Sequence, residues 1–135
     1  MPTRQYASFG FWSRRMPASE MAARLGLEPD EISVRGADLV DPPVPSSHEW
    51  KVTCRDPEMS VHEQVGWLVE RLSPFASEIS QLAEHLERDD CGGARLRIVR
   101  HGGERPEEHE LGWRLDRDVV RFLELTHADL TVDEP

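Results

Sequence analysis

The stretch Ser60 to Leu72 (SVHEQVGWLVERL) restricts the fold more than any other part of the chain. Ser60 and Glu63 stand in S-x-x-E spacing. In that capping box each side chain takes up a backbone N–H that the first helical turn leaves unpaired. Val61, Val65, Leu68, Val69 and Leu72 recur at helical spacing and form one apolar stripe. Pro74 disfavours helical backbone at the residue before it, so the helix is predicted to break at Ser73. A helix with a single apolar stripe must bury it against a second layer, which the rest of the chain has to supply.

That layer is readable as strands. Arg4 to Trp12 alternates, with Ala7, Phe9 and Phe11 on one face and Tyr6, Ser8, Gly10 and Trp12 on the other. His48 to Cys54 places Trp50, Val52 and Cys54 inward and Glu49, Lys51 and Thr53 outward. Ala94 to His101 places Leu96 and Ile98 inward and Arg95, Arg97 and Val99 outward. His109 to Leu115 returns with Leu111, Trp113 and Leu115 inward, reading as a hairpin in which Arg95 and Arg97 face Glu110. Ala128 to Asp133 is a final strand, and Glu31 to Arg35 a short edge strand. Further helices are expected at Pro17–Leu25, stopped by Gly26, at Phe75–Arg88, and after an Asp116 cap to Thr126. Gly36 to Ser47, with Pro42, Pro43 and Pro45, reads as a stiff loop. Trp67 lies beside the apolar stripe and is expected half-buried at its border.

The order of these elements predicts an α+β domain with a mainly antiparallel sheet and helices packed on one face. From His48 onward it reads β-α(α)-β-β-α-β, a ferredoxin-like arrangement with an added N-terminal strand and helix. At 135 residues the chain is expected to form a single domain, residues 1–135.

Charge narrows the function. The 26 acidic and 16 basic side chains leave a formal charge of −10. Nucleic acid and anionic membrane are disfavoured as partners, because phosphate binding draws on Lys and Arg clusters. No stretch approaches the ~20 apolar residues that span a bilayer. The N-terminus has no apolar core of an export signal. The expected setting is cytoplasmic, with Cys54 and Cys91 as free thiols.

The chemistry-bearing residues do not assemble into a catalytic pattern. His62-Glu63 begins like the zinc helix H-E-x-x-H, but Gly66 stands where the second histidine belongs. His101 and His109 flank the hairpin turn, with Cys91 and Glu110 near in sequence, in a spacing that fits no common metal template. Cys54 faces the core, and Cys91 has Asp89 and Asp90 beside it, whose charges oppose a thiolate. Gly92-Gly93 precedes a strand, no G-x-G-x-x-G or Walker pattern is present, and no cofactor is expected.

The motifs, taken in order, carry a family resemblance. They are YASFGF in the first strand, ASEMAARLGLEPD, the isolated SSHEW, EQVGWLVERLSP, and the terminal DRDVVRFLELTHADLTVD. With them the chain resembles the bacterial domain of unknown function 4279 family across nearly its whole length. The chain's end, Thr131-Val132-Asp133-Glu134-Pro135, departs from that family's pattern. The resemblance implies an α+β fold and a bacterial cytosolic setting, and it brings no assigned activity.

Helices on one face leave the other face of the sheet open. Tyr6, Trp12, Arg95, Arg97 and Arg114 fall there and form the candidate binding set, since interfaces favour Tyr, Trp and Arg. The expected function is non-catalytic binding of a protein partner, with an immunity- or antitoxin-like role as one version. Two alternatives stay open: a small enzyme or metal- or ligand-binding domain using the hairpin end around His101 and His109, and a homodimer joined through the sheet face.

Overall fold

The computed structural model describes residues 4–89, 92–101 and 115–133. In chain order they form β1 (Arg4–Ser13), α1 (Ala18–Leu25), β2 (Glu31–Ser33), β3 (His48–Cys54) and α2 (Val61–Leu72). A 3-10 turn (Ser73–Phe75), α3 (Ala76–Arg88), β4 (Gly92–His101), α4 (Arg117–Thr126) and β5 (Ala128–Asp133) follow. The strands make one sheet in the order β2-β3-β1-β4-β5. The β2–β3, β3–β1 and β1–β4 pairs are antiparallel, and β4–β5 is parallel, with α4 in the connection between them.

The aromatic alternation of β1 explains why it is the central strand. Ala7, Phe9 and Phe11 are all buried on its inner face. Phe9 stacks edge-on against Phe122 of α4 at 5.4 Å, and Phe11 meets Trp50 of β3 at 5.6 Å. Rings in such tilted and edge-on contacts add to what burial alone contributes. The buried Trp50 indole donates to the Leu27 carbonyl at 3.2 Å, so its one polar atom is satisfied. All four described α-helices contribute to the same apolar core as this inner face: Met21 and Leu25 from α1, Leu68 and Leu72 from α2, Ile79 and Leu86 from α3, Val119 and Phe122 from α4. The domain is therefore α+β, with a mainly antiparallel sheet.

The capping box of α2 is present in full: Glu63 N–H donates to Ser60 Oγ at 3.1 Å, and Ser60 N–H donates to Glu63 Oε1 at 3.0 Å. The bond from the Ser60 N–H, with that of the Ser60 hydroxyl behind it, holds the Glu63 carboxyl below its usual range. The predicted break at Ser73 takes a milder form. Ser73 keeps helical angles (φ −54°, ψ −38°), and its hydroxyl donates to the Val69 carbonyl at 2.6 Å. The chain thus passes through the 3-10 turn straight into α3. Trp67, expected half-buried at the stripe's border, is exposed there at 41%, with the Arg71 guanidinium 5.4 Å from its ring.

Three expectations are corrected. Residues 94–99 of β4 pair with β1 on one side and β5 on the other, so Arg95 and Arg97 lie beside Gly10 and Ser8 and beside Asp129 and Thr131. A hairpin partner carrying Glu110 has no free edge there; residues 109–114 of the expected strand lie outside the described residues. The ferredoxin-like neighbours are not those observed, because β1 inserts between β3 and β4. Asp116 occupies the N-cap position of α4, but its side chain makes no cap hydrogen bond and pairs instead with His62 Nε2 at 3.2 Å.

Candidate binding surface

The sheet face opposite the helices carries the candidate set. Tyr6 and Trp12 project from it on β1, and both are half-buried. Arg55, just past β3, lays its guanidinium 4.1 Å from the Tyr6 ring centroid. That guanidinium also holds Glu31 Oε1 at 2.8 Å, and hydrogen bonding to Glu31 pushes it further up from an already high pKa. Trp12 lies over Gly93 of β4, where an added Cβ would be 3.6 Å from the indole nitrogen.

Gly10 organises the middle of this face. A Cβ there would lie 2.4 Å from the Trp50 carbonyl oxygen and 2.7 Å from Lys51 Cγ. With no side chain at Gly10, charges on β3 and β4 reach each other across β1. Glu49 of β3 accepts Arg95 of β4 at 3.5 Å and Lys51 at 3.3 Å, and Lys51 reaches Glu31 of β2 at 3.8 Å. Arg97 Nε donates to Asp133 of β5 at 2.6 Å. Ion pairs therefore run from β2 to β4 through Glu31, Lys51, Glu49 and Arg95, and a separate pair, Arg97–Asp133, joins β4 to β5. Among the described side chains of this face, Glu31, Glu49, Asp129 and Asp133 stand against Lys51, Arg55, Arg95 and Arg97, on a chain whose formal charge is −10. Ser8 and Thr53 sit opposite each other beneath these pairs, and Thr53 Oγ1 is buried with no hydrogen-bond partner.

On this face Ser8 and Val99 are buried, and the edge is held by Asp30. Its carboxylate accepts Thr53 N–H at 2.9 Å and Arg71 Nη1 at 3.0 Å, joining the β2–β3 edge to the end of α2. Burial pushes this carboxyl up, but the bonds from Arg71 and Thr53 and the charge of Arg71 outweigh it and hold the group below its ordinary range.

The structure brings Tyr6, Trp12, Arg95 and Arg97 onto one face. Arg114 and His109 lie outside the described residues, as does the side chain of His101. Among the described residues no group of three or more His, Cys, Asp or Glu side chains is placed to hold a metal. Cys54 is a free, buried thiol whose Sγ lies 3.7 Å from Met59 Sδ, and Cys91 lies outside the described residues. No described helix is long and apolar enough to cross a membrane.

Two contributors escaped the sequence. Arg55 sits in a polar connection, and only the tertiary fold swings it over Tyr6. Gln64 is fully buried in α2, with Nε2 donating to the Gln5 and Asp56 carbonyls at 3.2 and 3.0 Å. Its tie to the start of β1 steadies the strand on which Tyr6 stands.

These features define a small α+β domain whose described helices pack on one face of the sheet, with ordered ion pairs on the other. The chain belongs to the DUF4279 family, a domain of unknown function, whose model matches residues 3–135. No curated protein and no solved structure matches it.

Proposed function

We propose that the protein is a non-catalytic protein-binding module that meets its partner through the open sheet face. The observation that carries this reading is the pre-ordered row of ion pairs around Tyr6 and Trp12. Ordering long side chains on binding costs roughly 0.5–1.5 kcal/mol each, and here much of that ordering precedes contact. Aromatic and arginine side chains are the types that anchor interfaces. Tyr6, Trp12, Arg95 and Arg97 are the binding residues in this reading, and Arg114 joins them from its place in the sequence.

The acid surplus outside this face suits a basic partner, drawn in by the long-range field, as in an immunity- or antitoxin-like role. Self-association is the second reading, and the charge balance of the face favours it. Two copies at −10 repel, and repulsion is least where the local charge cancels. Light-scattering mass in solution, joined to affinity capture from source lysate, tests both readings. A stable complex or a dimer is expected. A monodisperse monomer that recovers nothing contradicts the proposal.

A further inference from the structure

A groove of about 750 Å³ lies between α2, the 3-10 turn and α4. Its floor is apolar, from Val69, Pro74, Phe122 and Leu125, and Leu125 is 56% exposed. Among the described residues its rim carries Glu70 and Asp118 against the cation Arg121, with Asp116 already paired with His62. Gly66 forms part of the wall. In a helix interior glycine costs about 1 kcal/mol relative to alanine. A Cβ built at Gly66 meets nothing within 4 Å, so no contact among the described residues calls for glycine there. What a glycine on a helix surface permits is close approach by another backbone. Val69 and Glu70 stand three and four residues further on and line the same groove, so the open wall, the apolar floor and the acidic rim share one helix face.

From this we infer that the groove is a docking site for a basic amphipathic helix of a protein partner. The helix lays apolar side chains at i, i+3, i+4 and i+7 on Val69, Phe122 and Leu125 and sets its Lys or Arg residues beside Glu70 and Asp118. Gly66 lets the two backbones approach. Charge selects this occupant over a second copy. The most exposed apolar projection among the described residues, Leu39 at 93% and Val40 at 53%, is flanked by Asp38 and Asp41, which meet the acidic rim as like charges. The inference rests on the protein-binding reading but uses a different surface from the sheet face, so separate variants test the two.

The test uses the full chain and, as probe, a synthetic leucine–lysine helical peptide of about four turns (~14 residues), with its leucine–glutamate counterpart, followed by amide NMR. The lysine peptide is expected to bind saturably, with shift changes centred on Gly66, Val69 and Leu125 and weakening as salt is added. Gly66→Leu fills the wall: the variant is expected to melt no lower than wild type yet bind the peptide at least about tenfold more weakly, ~1.4 kcal/mol. The charge-removing pair Glu70→Gln and Asp118→Asn weakens binding without moving the melting temperature. Trp12→Glu leaves the peptide affinity unchanged, which separates this site from the sheet face. The inference is overturned if Gly66→Leu binds as well as wild type. It is equally overturned if the leucine–glutamate peptide or decanoate binds as tightly, if the shifts map to β1 and β4, or if the same amides shift with protein concentration alone.

Discussion

Replacing Gly10 with alanine probes the sheet face at the point where the structure is least forgiving. The new Cβ would lie 2.4 Å from the Trp50 carbonyl oxygen and 2.7 Å from Lys51 Cγ. The first neighbour is backbone of the adjacent strand and cannot rotate away, so β1 and β3 must separate locally. Overpacking of this kind costs about 1–3 kcal/mol, and the backbone obstacle puts the expected loss at the upper end, ~2–3 kcal/mol. A chain of 135 residues loses roughly 3–4 °C of melting temperature per kcal/mol, so the drop should be about 6–12 °C. Circular-dichroism melts with a urea titration read this directly. Gly66→Ala is the internal control: with nothing within 4 Å of its Cβ, it should gain roughly 0.5–1 kcal/mol from helix propensity. The same chemical change thus carries opposite signs at two glycines. A Gly10→Ala protein as stable as wild type would refute the claim that the β1–β3 contact and the charge row across it depend on a missing side chain.

Two further outcomes follow from the same structure. Gln64→Met keeps the side-chain length but strips the donors from the Gln5 and Asp56 carbonyls; a loss of about 1–3 kcal/mol is expected, read by urea unfolding. Asp30 has a folded-state pKa below its unfolded one, so its contribution is fully present above the unfolded value of about 3.9 and disappears as pH falls through the lower folded value. Arg71→Gln should therefore destabilise the protein at neutral pH by under about 1 kcal/mol, the pair being partly exposed, and by less in strong acid; a pH series of melts of both proteins checks this.

What could be read from the sequence was local. The α2 capping box and stripe lie within one stretch of chain, so spacing alone placed them. The alternation of β1, β3 and β4 assigned the two faces of the sheet correctly at Tyr6, Trp12, Arg95 and Arg97. Strand neighbours were not legible, because alternation states which side chains share a face but not which edge meets which. The insertion of β1 between β3 and β4 consequently displaced the ferredoxin-like order. Gln64 stayed hidden because its bonds run to backbone carbonyls, one of them on β1 far away in sequence. The groove between α2 and α4 exists only once the fold has brought Gly66 and Leu125 together. Asp116, at a cap position, pairs with the imidazole of His62 instead, a residue far off in sequence.

The central claim is that the open sheet face is a protein interface. Quantitative affinity capture from source lysate, run in parallel on wild type and Trp12→Glu, tests it most directly, with matching circular-dichroism spectra to show that both are folded. The account predicts a partner, or a second copy of the chain, enriched on wild type at least about tenfold over Trp12→Glu, the scale of losing one interface anchor. Equal recovery of the same proteins on both forms, or no recovery from a wild-type monomer, would contradict it.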